Sequence, residues 1–140
     1  MITFIIPGTP QGKARARTFK NKKTGKTVTT TPDNTVLYEN LIKIMFKQAK
    51  GIMIEEGKPV YMSVTAFFDI PKSYTKGKRL AATHNIIRPT KKPDADNILK
   101  VVADALNGLA YKDDTQIVSA MVVKNFTEDE PRVVVTVGEI

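Results

Sequence analysis

The run DADNILKVVADALNGLA, residues 94–110, limits what this chain can fold into more than any other stretch. Wound as a helix over 94–109 at about 100° per residue, it places Leu99, Val102, Ala103, Leu106 and Ala110 on one side. Ile98, Val101, Ala105 and Leu109 widen that apolar arc to roughly 200°. Only Asp96, Asn97, Lys100, Asp104, Asn107 and Gly108 are left for a polar stripe. A helix this apolar requires a deep core or a second chain to cover it. With 140 residues, 41% of them hydrophobic, the chain can build one such core. A single domain over 1–140 is expected.

The other apolar segments read as strands and one more long helix. ITFIIP (2–7) is a strand stopped by Pro7 and Gly8. A polar loop over 11–31 follows, with a short hairpin expected around Thr24-Gly25. A helix capped near Asp33 or Asn34 and closed by Gly51 would bury Leu37, Leu41 and Ile44, its face widened by Val36, Ile42, Met45 and Ala49. KPVYMSVTAFFDI (58–70) alternates with period two and should bury Val60, Met62, Val64, Ala66 and Phe68. A short helix capped by Ser73 or Thr75 is expected in the next connection, and QIVSAMVVKNF (116–126) and RVVVTVGEI (132–140) should form an antiparallel hairpin. The order β-α-β-α-β-β predicts an α+β domain: a mixed sheet with helices packed on it.

Charge is distributed unevenly. Net charge is +8, which points to a polyanionic partner, nucleic acid before a membrane surface. Two segments without a single acid, 11–31 and 71–92, carry 14 of the 22 basic residues. Both are long connections, a kind usually functional in compact domains. They supply the DNA-facing candidates: Lys13, Arg15, Arg17 and Lys20 from the first, and Lys72, Lys76, Lys78, Arg79, Arg88, Lys91 and Lys92 from the second.

Against this background five aspartates gather in residues 91–116. Asp94 and Asp96 at a helix start could serve as cap and first-turn charge, worth about 0.3–1 kcal/mol, but two of them followed by Asn97 exceed what a cap needs. Lys100 stands four residues from both Asp96 and Asp104, where surface ion pairs of about 0.3–0.5 kcal/mol are the plain alternative. Asp113 and Asp114 precede a strand, and neighbours in an extended segment point to opposite sides, so only one is expected to face Asp94 and Asp96. Clustered carboxylates repel one another and repel phosphate, so a site that meets DNA needs a cation between them. All-oxygen donors indicate Mg²⁺, with Mn²⁺ as the alternative. Such an ion suits phosphodiester hydrolysis, and Lys100, on the same stripe, fits two roles: stabilising developing charge or positioning the attacking water.

The segment KPDADNILKVVADALNGLAYKDDTQIV closely resembles the core motif of the RusA family of Holliday junction resolvases. The pattern D-x-D-N-x-x-K, then D-A-L, then D-D-x-Q, carries the resemblance over 91–118, and IPGTPQGKARAR and the basic connection before Asp94 extend it. The resemblance implies a Mg²⁺-dependent endonuclease that acts as a homodimer and nicks two strands of a four-way junction symmetrically. It implies essential carboxylates at Asp94, Asp96 and Asp114, an accessory catalytic lysine at Lys100, Asp113 as a further candidate ligand and Asp104 as structural. A dimer would also cover the surplus apolar arc of the helix or part of the sheet.

Two readings compete with it: a nucleic-acid-binding protein without catalysis, and a nuclease with broader branched-DNA or flap specificity. Other motifs carry less. GTPQGKAR is one residue short of a phosphate loop and has Ala14 where a metal-binding hydroxyl belongs. Asn125-Phe126-Thr127 fits a glycosylation acceptor only in a secreted protein. His84 is read as a surface or phosphate-contacting residue, and Tyr61, Tyr74 and Phe67 as core or rim packing. No cysteine is present, which rules out disulfides and thiolate metal sites. The opening run lacks the basic start of a signal peptide, and no apolar run reaches the roughly 18 residues a membrane span needs. A cytoplasmic protein with no membrane partner is expected.

Overall fold

The computed structural model describes residues 1–14, 17–30 and 32–140. Its elements are β1 (Ile2–Pro7), β2 (Arg17–Lys20), β3 (Thr27–Thr30), α1 (Asp33–Gln48), β4 (Val60–Asp69), α2 (Lys76–Thr83), α3 (Ala95–Ala105), β5 (Ile117–Thr127) and β6 (Arg132–Glu139). A 3-10 turn, Asp114–Gln116, leads into β5. The short hairpin expected around Thr24-Gly25 forms as β2–β3, an antiparallel pair in a separate two-stranded sheet around the Asn21–Lys26 turn. The short helix expected after β4 is α2, capped by the Thr75 hydroxyl, which accepts the Lys78 N–H at 3.3 Å.

Four strands form one mixed sheet in the order β1-β6-β4-β5. β4 pairs parallel with β5 and antiparallel with β6, and β1 pairs antiparallel with β6. The expected β5–β6 hairpin is thus absent: β4 lies between the two. Residues 128–131 need only cross two inter-strand spacings, about 10 Å, and four extended residues reach about 13 Å. Sequence chemistry accounts for the placement. β6 is a nearly unbroken valine run suited to the middle of a sheet, whereas β5 carries Ser119, Ala120, Lys124 and Asn125 and sits at the edge.

Only one face of the sheet is buried. Val60, Met62, Val64, Ala66 and Phe68 of β4 point into the core as their alternation predicts, together with Phe4, Ile6, Val133, Val135 and Val137. The helices cover this face: α1 packs on β1 and α3, while α3 and α2 pack on β5. α3 is wedged among them, with Ile98, Val101, Val102, Ala105 and Leu106 fully buried, so the chain's own sheet and α1 supply the cover its wide apolar arc requires.

α1 is rotated from its expected orientation. Its buried residues are Thr35, Tyr38, Ile42 and Phe46, while Val36, Leu37 and Ile44 are exposed. The two rings decide this: Phe46 meets Phe4 edge-on at 5.7 Å, and Tyr38, polar by name, buries a large apolar body. The helix closes with Lys50 in the left-handed region, its N–H on Lys47 O, and the Gly51 N–H on Phe46 O. Gly51 is needed because a Cβ there would overlap the Phe46 ring. No helix among the described residues is long and apolar enough to cross a membrane.

Candidate active site and nucleic-acid-facing surface

The two ends of α3 hold two groups of carboxylates. At its start, Asp94 occupies the N-cap position with extended backbone, and its carbonyl accepts the Ile98 N–H at 3.0 Å. The Asp94 carboxylate, however, makes no capping bond. The capping explanation is therefore not realised by this side chain, which faces a cavity of about 770 Å³. Asp96 is exposed in the first turn. Residues 11–14 cross this end of the helix as a strap, with the Lys13 N–H on Asn97 O at 2.9 Å. A Cβ on Gly12 would lie 2.9 Å from the Cβ atoms of both Asn97 and Pro93, so only glycine lets the strap approach this closely.

The polar stripe continues down the helix. Lys100 lies 3.5 Å from Asp104, the i,i+4 pair anticipated above. Asp104 is also 3.3 Å from the Lys13 ammonium, which stands 2.7 Å from Glu39 of α1. The charge of Lys13, expected at the DNA, is paired here with two carboxylates; its side chain is 22% exposed against 60% for Lys100. Burial lowers the Lys13 pKa, but the hydrogen bonds and charges of Glu39 and Asp104 outweigh it and leave the ammonium above its ordinary range.

At the far end the chain turns back through Tyr111, whose buried hydroxyl donates to Ala103 O at 2.6 Å. Burial and then the charges of Asp114, Asp104 and Asp113 raise the Tyr111 pKa. Gln116 ties down the following turn: its Oε1 accepts the N–H groups of Lys112 (3.0 Å) and Asp113 (3.3 Å), and its Nε2 donates to Glu55 O and Lys58 O, each at 3.1 Å. The turn leaves Asp113 exposed and presses Asp114 between Asp113 and Asp104. Partial burial, then Asp113 and Asp104, hold the Asp114 carboxyl above the usual carboxylate range.

Asp94 and Asp104 are ten residues apart on α3, about 15 Å of helix axis. Within one chain Asp114 therefore keeps company with Asp104 and Asp113, at the opposite end from Asp94 and Asp96. No three acidic or imidazole side chains among the described residues stand in metal-binding geometry. The donor set is nonetheless chemically apt: it consists of hard carboxylate oxygens, and Mg²⁺ is commonly held by one or two carboxylates with water and substrate phosphate. Asp104, Glu39, Gly12 and Gln116 were not singled out as site residues from sequence. Only the i,i+4 spacing of Lys100 and Asp104 signalled any of their contacts.

The basic residues form two surfaces. The first is the β2–β3 hairpin, with Lys20, Lys22, Lys23 and Lys26 at its end. Arg15 and the side chain of Arg17 lie outside the described residues. The second surrounds α2, where Lys72, Lys76 and Lys78 are exposed and the Lys78 ammonium sits 4.2 Å from the centre of the Tyr74 ring. Tyr74 itself packs edge-on against Phe126. Arg79 donates to Pro71 O at 3.3 Å and Arg88 to Asn125 Oδ1 at 2.5 Å. Lys91 gives its carbonyl to the Lys124 ammonium, and Lys92 borders the Asp94 cavity. His84 closes α2, its Nδ1 3.1 Å from Leu80 O.

Comparison with known proteins places the chain in a family. A family model described as "Endodeoxyribonuclease RusA" matches residues 7–138. A Bacillus subtilis (strain 168) protein described as "Uncharacterized protein YqaN" is 37% identical over 141 residues, covering 99% of this chain and 96% of its own. The chain belongs to the RusA endodeoxyribonuclease family.

Proposed function

We propose that this member of the RusA family is a Mg²⁺-dependent endonuclease that resolves four-way DNA junctions, cutting two strands symmetrically as a homodimer. The observation that carries the reading is the Asp94 carboxylate: it stands at a helix start without a capping bond, beside an open cavity and Asp96, in a chain of net charge +8. A carboxylate placed to repel the polyanion that the rest of the surface attracts needs a cation to reconcile the two.

Asp94 and Asp96 would hold Mg²⁺, or Mn²⁺ in its place, with Asp114 and Asp113 as further ligands. A bound ion of this kind supplies an activated water and neutralises a phosphate oxygen. The chain's own residues do the rest. Lys100, exposed on the same stripe, stabilises charge developing on the phosphodiester. Lys20, Lys72, Lys76, Lys78 and Lys92, with Arg15 and Arg17, engage the DNA backbone; Arg79, Arg88 and Lys91 shape the second surface around α2. A second copy of the chain provides the second nick, and its Asp114 could complete a site that one α3 divides. The edge of β5, with Val118 and Met121 exposed, is open sheet that such a copy could cover.

The test is to incubate the protein with a synthetic four-way junction, a flap and a linear duplex, each with Mg²⁺ or EDTA. Paired nicks confined to the junction and requiring Mg²⁺ are expected. Equal cutting of the flap would replace the junction by branched DNA in general, and tight binding without cutting in Mg²⁺ would leave a binding protein.

A further inference from the structure

We propose that Lys13 is a positioning residue of the endonuclease centre, not a DNA contact: it clamps the 11–14 strap onto α3 and neutralises Asp104 so that Lys100 remains available to substrate. The inference rests on the endonuclease reading above. Three observations converge on it. The strap is fixed at Lys13 and the residue before it, by the Lys13 N–H on Asn97 O and by the close approach of Gly12 to Asn97 and Pro93. The ammonium joins two helices, at 2.7 Å from Glu39 on α1 and 3.3 Å from Asp104 on α3. Asp104 in turn touches both Lys100 and the crowded Asp114.

Removing Lys13 would leave Lys100 as the one cation paired with Asp104 among the described residues. The Lys100 ammonium, already 3.5 Å from Asp104, would be drawn closer to it and away from a phosphate in front of the stripe, and the strap would lose its tie to α1. Glu39 would at the same time keep a half-buried charge without its partner. A lysine that merely met DNA would show the opposite pattern, with weaker binding and an intact chemical step.

The experiment compares wild type with Lys13→Met and Lys13→Arg. It measures single-turnover junction cleavage across a Mg²⁺ titration, and junction binding in EDTA across a salt series. Lys13→Met is expected to cleave about 10–100-fold more slowly, the scale of a misplaced catalytic group. Its binding affinity and salt slope should match wild type, and Lys13→Arg should recover most of the rate. Asp104→Asn should cost little, because it frees Lys100, and the double variant Lys13→Met/Asp104→Asn should recover part of the rate that Lys13→Met loses. A salt slope lower by about 0.9, one phosphate contact, would overturn the proposal. So would an unchanged rate, or a double variant slower than Lys13→Met alone. If Lys13→Met does not fold, Lys13→Gln carries the same readouts. A wild type that cuts no branched DNA removes the endonuclease reading and this inference with it; a wild type that cuts and a Lys13→Met that cuts equally well remove this inference alone.

Discussion

The two ends of α3 hold carboxylates in opposite circumstances. At the start, Asp94 and Asp96 make no ion pair among the described residues, and Asp94 makes no capping bond; the space in front of Asp94 is open. At the end, Asp104 is held between two ammonium groups, Asp114 is pressed against Asp104 and Asp113, and Tyr111 and Gln116 fix the turn beneath them. One end is prepared to receive charge from outside; the other has its charges balanced largely from within. The difference indicates where substitution should abolish chemistry alone and where it should alter stability too.

The largest effect belongs to the open end. Asp96→Asn should slow junction cleavage by about a hundredfold or more, the scale of a lost electrostatic group, with binding in EDTA unchanged. Gel-shift and single-turnover assays on one preparation measure both, and loss of binding as well would give Asp96 a folding role. Next in size is the arm attached to the strap. Neutralising Arg17 and Lys20 should lower the salt slope of junction binding by about 0.9 per phosphate contact removed. An unchanged slope would take the β2–β3 hairpin out of the interface.

The closed end should respond in stability as well as in chemistry. Tyr111→Phe removes the donor to Ala103 O and should cost about 1 kcal/mol in urea unfolding. Asp114→Asn should act in the other direction. Because folding raises the Asp114 carboxyl pKa, its protonated form favours the native state, an advantage held at acid pH and lost as pH rises through the folded value. The asparagine should therefore raise Tm slightly at neutral pH and bring little gain at acid pH, a trend that thermal melts at two pH values would detect. Asp96→Asn should bring no comparable gain; if it does, the contrast between the two ends is wrong.

Periodicity made much of this legible. The β4 core residues, the buried sides of α3, the Thr75 cap and the turn near Thr24-Gly25 all follow from local pattern and chemistry. The failures share a cause, which is that tertiary partners decide between local alternatives. β6 prefers the middle of the sheet to a hairpin with β5, since its valine run can be buried only with strands on both sides. α1 turns its rings inward because Phe4 waits there for Phe46. In the site, Asp94, Asp96 and Lys100 could be singled out because their spacing is local. Lys13 reads from sequence only as a DNA-facing residue, since nothing in a basic loop reveals that its charge will meet Glu39 and Asp104 from two different helices.

The most direct test of the account uses a supercoiled plasmid that extrudes a cruciform, so that one molecule offers a four-way junction amid ordinary duplex. The account predicts that Mg²⁺ converts it to linear product by paired cuts at the cruciform base, that EDTA prevents this, and that Asp96→Asn leaves the circle intact. Linear product formed equally in EDTA, or an intact circle in both Mg²⁺ and Mn²⁺ despite bound protein, would contradict it.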